Sequence, residues 1–250
     1  MSEHNDRYAV LGHPVAHSKS PFIHARFAGQ TAQFLTYEAI DVPLDGFRAQ
    51  VSTLQAEGYR GCNVTVPFKE QAWDMAQVRS EAAEHAGAVN TLWFREDGSL
   101  YGDNTDGSGL LRDLQVNHQY SLSCKRILIL GAGGAVRGVL QPLLSAQPQQ
   151  IVIANRTAEK AEHLAAVFSG DVPVRGGSYA AVHDVFDVII NATAAGLQGE
   201  RPPLSPDCLG EDSFCYDMMY GPQPTAFAMV PRTGRRAYRR WTGHAGGTGG

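Results

Sequence analysis

Short apolar runs alternate with longer amphipathic segments along this chain, and that alternation is typical of an α/β fold. The run Tyr8–Leu11 predicts a first strand, followed by a polar turn. A helix is predicted to begin at Ser20–Pro21, because serine caps helix N-termini and proline suits the first helical position. Further strands are predicted at Phe34–Ala39, Gly61–Val64, Asn90–Phe94 and Ser99–Tyr101, further helices at Leu44–Glu57, Ser80–His85 and Thr105–Leu114, and a helical turn from Pro67.

A second unit with the same alternation is predicted from Arg126 onward. Its first strand, Ile127–Leu130, is apolar at every position, as in a parallel strand that is buried on both faces. Its other strands are predicted at Ile151–Ala154, Val185–Ile190 and Phe214–Tyr216, and its helices at Ala135–Leu144 and Thr157–Phe168. We therefore expect two domains, 1–104 and 105–227, followed by a tail at 228–250.

The tail differs from the rest of the chain in composition. The 250 residues are 43% apolar and 18% charged, which is typical of a folded protein, and their formal net charge is −4. Residues 228–250 hold five arginines, six glycines and no Asp or Glu, so the first 227 residues carry −9. Such an acidic body disfavours a broad nucleic-acid-binding face. The tail has no helical apolar period, and we expect Ala228–Gly250 to be an aberrant, largely disordered end.

The cysteines and the chain start indicate a reduced, cytoplasmic protein. Cys62, Cys124, Cys208 and Cys215 are scattered, without a C-x-x-C pair or a histidine at ligand spacing, so we expect neither a metal site nor a disulfide framework. The first residues do not have the basic flank and apolar run of a signal peptide, and no stretch reaches the roughly 20 apolar residues that span a bilayer. We expect a small-molecule ligand, no membrane or nucleic-acid partner, and a monomer or homodimer.

A glycine-rich turn follows the apolar strand of the second unit. Residues 131–135 read GAGGA and stand between a strand and a helix. Such a turn lets backbone N–H groups approach a pyrophosphate at the helix N-terminus. Val136 occupies the place of the last glycine in the full G-x-G-x-x-G pattern, so the turn also suits a plain strand-to-helix connection.

The residues after the next strand indicate which dinucleotide the turn would hold. Proteins that bind NAD usually place an acid there for the ribose hydroxyls, but this chain has Asn155-Arg156-Thr157. The Arg156 guanidinium can pair with a 2′-phosphate, and Lys160 adds a second cation one helical turn further on. We therefore predict NADP(H) as the cofactor, although each cation alone also suits an ordinary solvated surface.

Polar residues also gather at the predicted strand ends of the first unit. Ser18 and Ser20 follow the first strand, Asn63 and Thr65 share one face at the end of the third, and Lys69 lies just beyond. Taken singly, such residues also serve as helix caps, turn residues or a solvated lysine. Together they place hydroxyls, an amide and a cation where open α/β sheets bind ligands.

In their order along the chain, these motifs resemble those of the shikimate dehydrogenase family over nearly all of residues 7–227. The matching segments are His17–Pro21, Asn63–Lys69, Ala88–Thr91, Asn104–Gly107, Gly131–Ala135, Asn155–Thr157, Asn191–Thr193 and Tyr216–Tyr220. The resemblance implies NADPH-dependent reduction of 3-dehydroshikimate to shikimate, a step of aromatic amino-acid biosynthesis. It also implies an N-terminal α/β substrate-binding domain and a Rossmann-like NADP-binding domain, with a catalytic cleft between them.

The resemblance further assigns residues to roles. The catalytic pair would be Lys69 and Asp106, and either could transfer the proton. The substrate-binding residues would be Ser18, Ser20, Asn63, Thr65, Lys69, Asn90, Asp106 and Tyr220. The cofactor-binding residues would be Gly131, Gly133, Gly134 and Ala135 at the pyrophosphate, Asn155, Arg156, Thr157 and Lys160 at the adenosine phosphate end, and Thr193 and Met218 near the nicotinamide half.

Three alternatives compete with this interpretation. A quinate/shikimate dehydrogenase that prefers NAD fits less well with Arg156 and with the pair Ser18 and Ser20. A glutamyl-tRNA reductase would need a nucleophilic cysteine in its N-terminal domain, and Cys62 is the candidate, within a predicted buried strand. A non-catalytic NADP-binding protein is the third, because the tail has neither the terminal helix nor the substrate-contacting glutamine of the family.

Overall fold

The computed structural model describes residues 5–193 and 202–219, together with Phe227 and the backbone of Tyr238–Arg240. The chain divides into two compact units, Met1–Thr105 and Asp106–Gly250. This division falls one residue from the expected one at 104/105. Each unit is built around its own six-stranded sheet.

The first unit is an α/β domain with a mixed sheet. In chain order its elements are β1 (Asp6–Gly12), α1 (Ser20–Thr31), β2 (Leu35–Asp41), α2 (Phe47–Ala56), β3 (Gly61–Val64), α3 (Lys69–Met75), β4 (Val78–Arg79), α4 (Glu81–Ala86), β5 (Thr91–Phe94) and β6 (Leu100–Asp103). The strand order is β2-β1-β3-β5-β6-β4. Strand β1 is parallel to β2 and β3, and the pairs β3/β5 and β5/β6 are antiparallel.

One face of this sheet packs on α2 and α3. Phe47 and Phe68 stack there with ring centroids 4.9 Å apart, in a buried cluster that also contains Leu11, Val64 and Leu92. Burial of these large side chains fixes the ends of β1 and β3, because both strands carry residues of the cluster. The polar residues that follow these strand ends are therefore attached to a rigid support.

The second unit contains an all-parallel sheet. Its elements are α5 (Asp106–Arg112), a π-helical turn (Asp113–Asn117), β7 (Arg126–Leu130), α6 (Gly134–Ser145), β8 (Gln150–Asn155), α7 (Ala158–Val167), β9 (Val174–Ser178), β10 (Phe186–Asn191), β11 (Leu209–Asp217) and β12 (Tyr238–Arg240), with single 3₁₀ turns at Tyr179–Ala181 and Pro206–Cys208. The strand order is β9-β8-β7-β10-β11-β12. The first strand of this sheet, β7, lies in the middle, and β8 and β9 follow on one side of it. The chain then crosses to the other side of β7 and forms β10. In such doubly wound sheets, ligands bind at the carboxyl ends of the strands beside this reversal.

Strand β7 is buried on both faces, as predicted. Ile127 and Ile129 belong to a cluster with residues of α6 and α7, whereas Leu128 and Leu130 belong to a separate cluster on the opposite face. All four side chains are fully buried. The continuous apolar run is thus explained by packing on two layers.

Strands β4 and β9 are absent from the sequence-based prediction. Strand β4 has only two residues, too few for an alternating pattern. Strand β9 reads Val-Arg-Gly-Gly-Ser, and glycine is depleted in strands because it offers no side chain to pack. Here the glycine has a steric purpose, since a Cβ at Gly176 would lie 2.1 Å from the Ala161 carbonyl oxygen in α7. The missing side chain allows the helix to lie directly on the strand.

Within the tail, Tyr238–Arg240 forms β12 alongside β11, and the expectation that Ala228–Gly250 is largely disordered stays a prediction. Without a neighbour on that side, β11 would present unpaired backbone N–H and C=O groups, and a parallel strand satisfies them. The rest of Ala228–Gly250 lies outside the described residues.

Helix ends differ from the predicted ones by a few residues. Lys19 rather than Ser20 is the N-cap of α1, and Ser20 is its first residue. The helix predicted to end at Leu114 changes at Arg112 into the π-helical turn that ends at Asn117.

We predict that Gly176→Ala destabilises the second unit, because the new Cβ would collide with the backbone of α7. The expected loss in free energy of unfolding, measured by urea denaturation, is about 1–3 kcal/mol. The neighbouring substitution Gly177→Ala is the matched control, since the nearest atom to its Cβ would be the Ala181 Cβ at 3.7 Å. Equal losses in the two variants would contradict the close approach of β9 and α7.

Candidate active site

The Asn63 side chain forms the middle of a hydrogen-bonded cluster at the end of β3. Its Oδ1 accepts a hydrogen bond from the Tyr37 hydroxyl at 2.5 Å. Its Nδ2 donates to the Asn90 carbonyl oxygen at 3.3 Å and to the Thr91 hydroxyl at 3.1 Å. Because both ends of the amide are engaged, its orientation is fixed. Tyr37 was not among the predicted site residues.

Asn90 joins three segments of the first unit. Its backbone N–H donates to the Asp103 carbonyl at 3.0 Å, and its own carbonyl accepts from the Val64 N–H at 2.8 Å. Its side-chain Oδ1 accepts from the Thr105 N–H, and its Nδ2 donates to the Thr105 hydroxyl, both at 3.1 Å. Asn90 is only 6% exposed, so these bonds satisfy a polar group that would be costly to bury unpaired.

The other predicted substrate-binding residues of the first unit lie at neighbouring turns. The Ser18 Oγ accepts from the N–H of Ser20 at 3.3 Å, at the start of α1. Thr65 follows β3 and lies so close to Gly12 that a Cβ at that glycine would be 2.4 Å from the Thr65 Cγ2. Lys69 is the first residue of α3 and is partly exposed.

Asp106 is the first residue both of the second unit and of α5. The next residue, Gly107, brings α5 directly onto α6, because a Cβ there would lie 2.3 Å from the Gly138 carbonyl oxygen and 2.5 Å from the Pro142 ring. Proline has no N–H, so Pro142 cannot donate the usual helical bond to that carbonyl. The contact fixes the position of Asp106 relative to α6.

The glycine turn after β7 leaves room for a phosphate group. Gly131 has a φ of +113°, a backbone conformation that favours glycine. Gly133 is the N-cap of α6 and Gly134 is its first residue, and a Cβ at either would meet no atom within 4 Å. The space beside the first turn of α6 is therefore open, at the positive end of the helix dipole.

A pocket of about 240 Å³ brings this turn together with the residues that follow β8. Its lining residues are Ala132, Gly133, Asn155, Arg156, Thr157 and Lys160. Of these, Ala132 was not among the predicted cofactor-binding residues. The Asn155 Nδ2 donates to the Thr157 carbonyl oxygen at 2.9 Å and holds the turn between β8 and α7.

The pocket carries positive charge. The side chains of Arg156 and Lys160 are exposed, and Thr157 caps α7 without a side-chain hydrogen bond to the helix. Burial raises the pKa of Tyr179, and the nearby charge of Arg156 partly offsets that rise. Two cations and a hydroxyl around one pocket suit a phosphate monoester.

Asn191, a fully buried residue outside the predicted set, organises the ends of β10 and β11. Its Oδ1 accepts from the Thr193 hydroxyl at 2.7 Å, and its Nδ2 donates to the Asp217 Oδ1 at 3.0 Å. Its carbonyl oxygen accepts from the Met218 N–H at 2.9 Å. The two residues predicted for the nicotinamide half, Thr193 and Met218, are thus held by the same asparagine. In the sequence, Asn191 could have been recognised from the motif Asn-Ala-Thr, which it begins.

Three further expectations concern Tyr220, metal ions and membranes. Tyr220 lies outside the described residues. Among residues 5–193 and 202–219, no group of three or more His, Cys, Asp or Glu side chains is placed to hold a metal ion. In the part of the chain that the structure describes, no helix is long and apolar enough to cross a membrane.

Cys62 has the properties of a structural thiol. It lies in β3, is 4% exposed, and burial raises the pKa of its thiol to about 12. A thiol that stays protonated at neutral pH is a poor nucleophile. This argues against the glutamyl-tRNA reductase alternative, which requires a reactive cysteine in this part of the chain.

Comparison with known sequences identifies two family domains. The shikimate dehydrogenase substrate binding domain matches residues 10–92, and the shikimate/quinate 5-dehydrogenase domain matches residues 113–198. The NADP(+) shikimate dehydrogenase of Alkalilimnicola ehrlichii is 54% identical over 227 residues, which are 91% of this chain and 84% of that protein. The NADP(+) shikimate dehydrogenase of Methylococcus capsulatus is 55% identical over 223 residues, 89% of this chain and 80% of that protein.

Solved structures show the same fold. The shikimate 5-dehydrogenase of Thermus thermophilus, in complex with NADP(H) and shikimate, superposes with a TM-score of 0.79. It is 34% identical in sequence, and the match covers 89% of this chain and 82% of that one. The family domains, the close relatives and the parallel sheet with its glycine turn agree, and the chain belongs to the shikimate dehydrogenase family.

Proposed function

We propose that this chain catalyses the reversible, NADPH-dependent reduction of 3-dehydroshikimate to shikimate, a step of aromatic amino-acid biosynthesis. The observation that carries the proposal is the pocket in which the glycine turn adjoins Arg156 and Lys160. The turn suits the pyrophosphate of the dinucleotide, and the two cations suit the 2′-phosphate that distinguishes NADP(H) from NAD(H). Relatives at 54–55% identity are NADP(+) shikimate dehydrogenases.

The first unit supplies groups that suit a small carboxylated polyol. The hydroxyls of Ser18 and Ser20, at the start of α1, suit the carboxylate. The Asn63 amide and the Thr65 hydroxyl suit the alcohol groups, because each can donate and accept a hydrogen bond. Asn90 holds Asn63 and Thr105 in place and so supports this arrangement.

We assign Lys69 and Asp106 to catalysis. Bound NADPH would supply the hydride for the ketone carbon. The ketone oxygen then gains negative charge and must receive a proton. The Lys69 ammonium can stabilise that oxygen and donate the proton, and a protonated Asp106 carboxyl is the alternative donor.

We propose Thr193 and Met218 as the contacts of the nicotinamide half. They follow β10 and β11, next to the reversal point of the sheet where cofactors bind in doubly wound folds. Their common attachment to Asn191 keeps both at one strand edge.

We also propose a cytoplasmic monomer or homodimer. Cys62, Cys124 and Cys208 are free thiols, with Cys62 and Cys208 buried and Cys124 exposed. Free thiols in these environments suit a reducing compartment.

We predict that Lys69→Ala lowers kcat for shikimate oxidation by about 10²- to 10⁴-fold, because it removes the cation and proton source at the reacting oxygen. NADPH affinity should stay unchanged, since Lys69 does not line the cofactor pocket. NADP⁺-linked absorbance gives the rate, and NADPH fluorescence titration gives the affinity.

The control for this experiment is Lys125→Ala, which removes the same charge from the second unit. The Lys125 ammonium lies 5.9 Å from the centre of the Tyr120 ring, away from the pocket-lining residues. Near-wild-type turnover in Lys69→Ala would contradict the catalytic assignment. Turnover of quinate as well as shikimate by the wild-type chain would favour the broader alternative, and NADPH binding without turnover of either would favour a non-catalytic NADP-binding protein.

We predict that Arg156→Ala weakens NADPH binding by about 10- to 150-fold, the range for one charge-assisted phosphate contact. The affinity for NADH, which has no 2′-phosphate, should fall much less, and NADH therefore serves as the internal control. Paired fluorescence titrations measure both affinities. Equal losses for the two cofactors would show that Arg156 does not recognise the 2′-phosphate.

A further inference from the structure

We infer that Tyr37 is a positioning residue for substrate, because its hydroxyl orients the side chain of Asn63. This inference rests on the proposed function, since it takes Asn63 as a substrate contact. It adds a residue from β2, a strand to which no site residue had been assigned.

The Tyr37 side chain crosses a strand to reach its partner. The order of strands is β2-β1-β3, so β1 lies between Tyr37 on β2 and Asn63 on β3. The strand register pairs Tyr37 with Tyr8 of β1, and Asn63 with Val10 two residues further along β1, so both side chains lie on the same face of the sheet. A shorter side chain at position 37 could not span the two strand spacings of roughly 4.8 Å each.

The Tyr37 hydroxyl is the hydrogen-bond donor to one predicted substrate contact. It donates its single hydrogen to the Asn63 Oδ1 at 2.5 Å. Since a phenol has one hydrogen, this bond uses the whole donor capacity of Tyr37. Burial raises the pKa of Tyr37, so the hydroxyl stays protonated and remains a donor at neutral pH.

This donor determines which way the Asn63 amide points. With its Oδ1 engaged by Tyr37, the Nδ2 is directed to the Asn90 carbonyl oxygen and the Thr91 hydroxyl. Without the Tyr37 hydroxyl, the oxygen end of the amide would have no donor at that position, and rotation of the side chain would become less costly.

The phenol ring is itself held in place from α1. The His24 ring stacks on it with the centroids 4.0 Å apart and an angle of 5° between the planes. His24 belongs to α1, the helix that begins with the predicted substrate contact Ser20. The Tyr37 ring therefore cannot move far without breaking its contact with α1.

We predict that Tyr37→Phe raises KM for shikimate about 10-fold, as for the loss of one hydrogen bond that orders the site, while kcat changes by less than about 2-fold. KM for NADP⁺ should not change, because Tyr37 lies in the first unit and the cofactor pocket in the second. Steady-state kinetics with each substrate varied in turn measures all three values.

The matched control is Tyr59→Phe, which removes another tyrosine hydroxyl from the same unit. The Tyr59 hydroxyl donates to Glu38 at 3.0 Å and accepts from Arg7 at 2.7 Å, so it too is hydrogen-bonded to side chains of the first unit. Loss of folding stability alone would affect both variants, whereas KM for shikimate should rise only in Tyr37→Phe. An equal rise in both, or an unchanged KM in Tyr37→Phe, would overturn the inference.

A double-mutant cycle tests whether the effect passes through Asn63. In an Asn63→Ala background, adding Tyr37→Phe should change KM for shikimate by less than about 2-fold, because the partner is already gone. A second 10-fold rise in that background would contradict the orienting role.

A binding measurement separates this inference from the proposed function. If the wild-type chain does not oxidise shikimate, the proposed activity is wrong, and the rise in Tm produced by shikimate then decides the inference. The orienting role is supported if shikimate raises the Tm of the wild-type chain and raises the Tm of Tyr37→Phe by less. Equal increases in Tm in the two chains, or no increase in either, overturn it.

Discussion

Buried side-chain amides at the ends of strands hold the functional turns of both units in place. In the first unit, the Asn90 side chain bonds to the backbone N–H and the hydroxyl of Thr105. In the second unit, Asn191 bonds to Thr193 and Asp217. An amide donates and accepts at once, so one side chain can satisfy a turn N–H and a neighbouring oxygen together. An unpaired buried amide is costly, and the turns are therefore held in the arrangement that satisfies these partners.

The ligand sites proposed for the two units contain different kinds of group. The second unit offers the open start of α6 and the cations Arg156 and Lys160, which suit phosphates because charge and helix dipole act together. The first unit offers hydroxyls and amides that are bonded to one another, as between Tyr37 and Asn63. Neutral groups of this kind distinguish one polyol from another by hydrogen-bond geometry, since each alcohol needs a donor or an acceptor at a defined angle.

Local patterns predicted the elements and residues whose signals are contiguous in sequence. The apolar run Ile127–Leu130 and the glycine turn after it needed no knowledge of distant contacts, and neither did the cation at Arg156. Tyr37 could not be found in this way, because its role depends on the register of three strands and on a partner 26 residues away. Strand β9 was missed for a similar reason, since Gly176 is explained only by a contact with α7. Long-range packing overrides local propensity at both places.

The cations of the pocket and the hydrogen-bonded cluster around Asn63 differ in how many other contacts a substitution disturbs. Arg156 and Lys160 lie exposed at the edge of their pocket, so replacing one of them changes a charge and leaves the hydrogen bond from Asn155 to Thr157 in place. The Asn63 amide has partners on three other residues, and replacing it leaves several polar groups unsatisfied at once. Effects at independent sites add, whereas effects within a network do not. From the proposed sites we therefore expect that single substitutions can alter the preference between NADP(H) and NAD(H), while a change of substrate requires the hydrogen-bonded cluster of the first unit to be rebuilt as a whole.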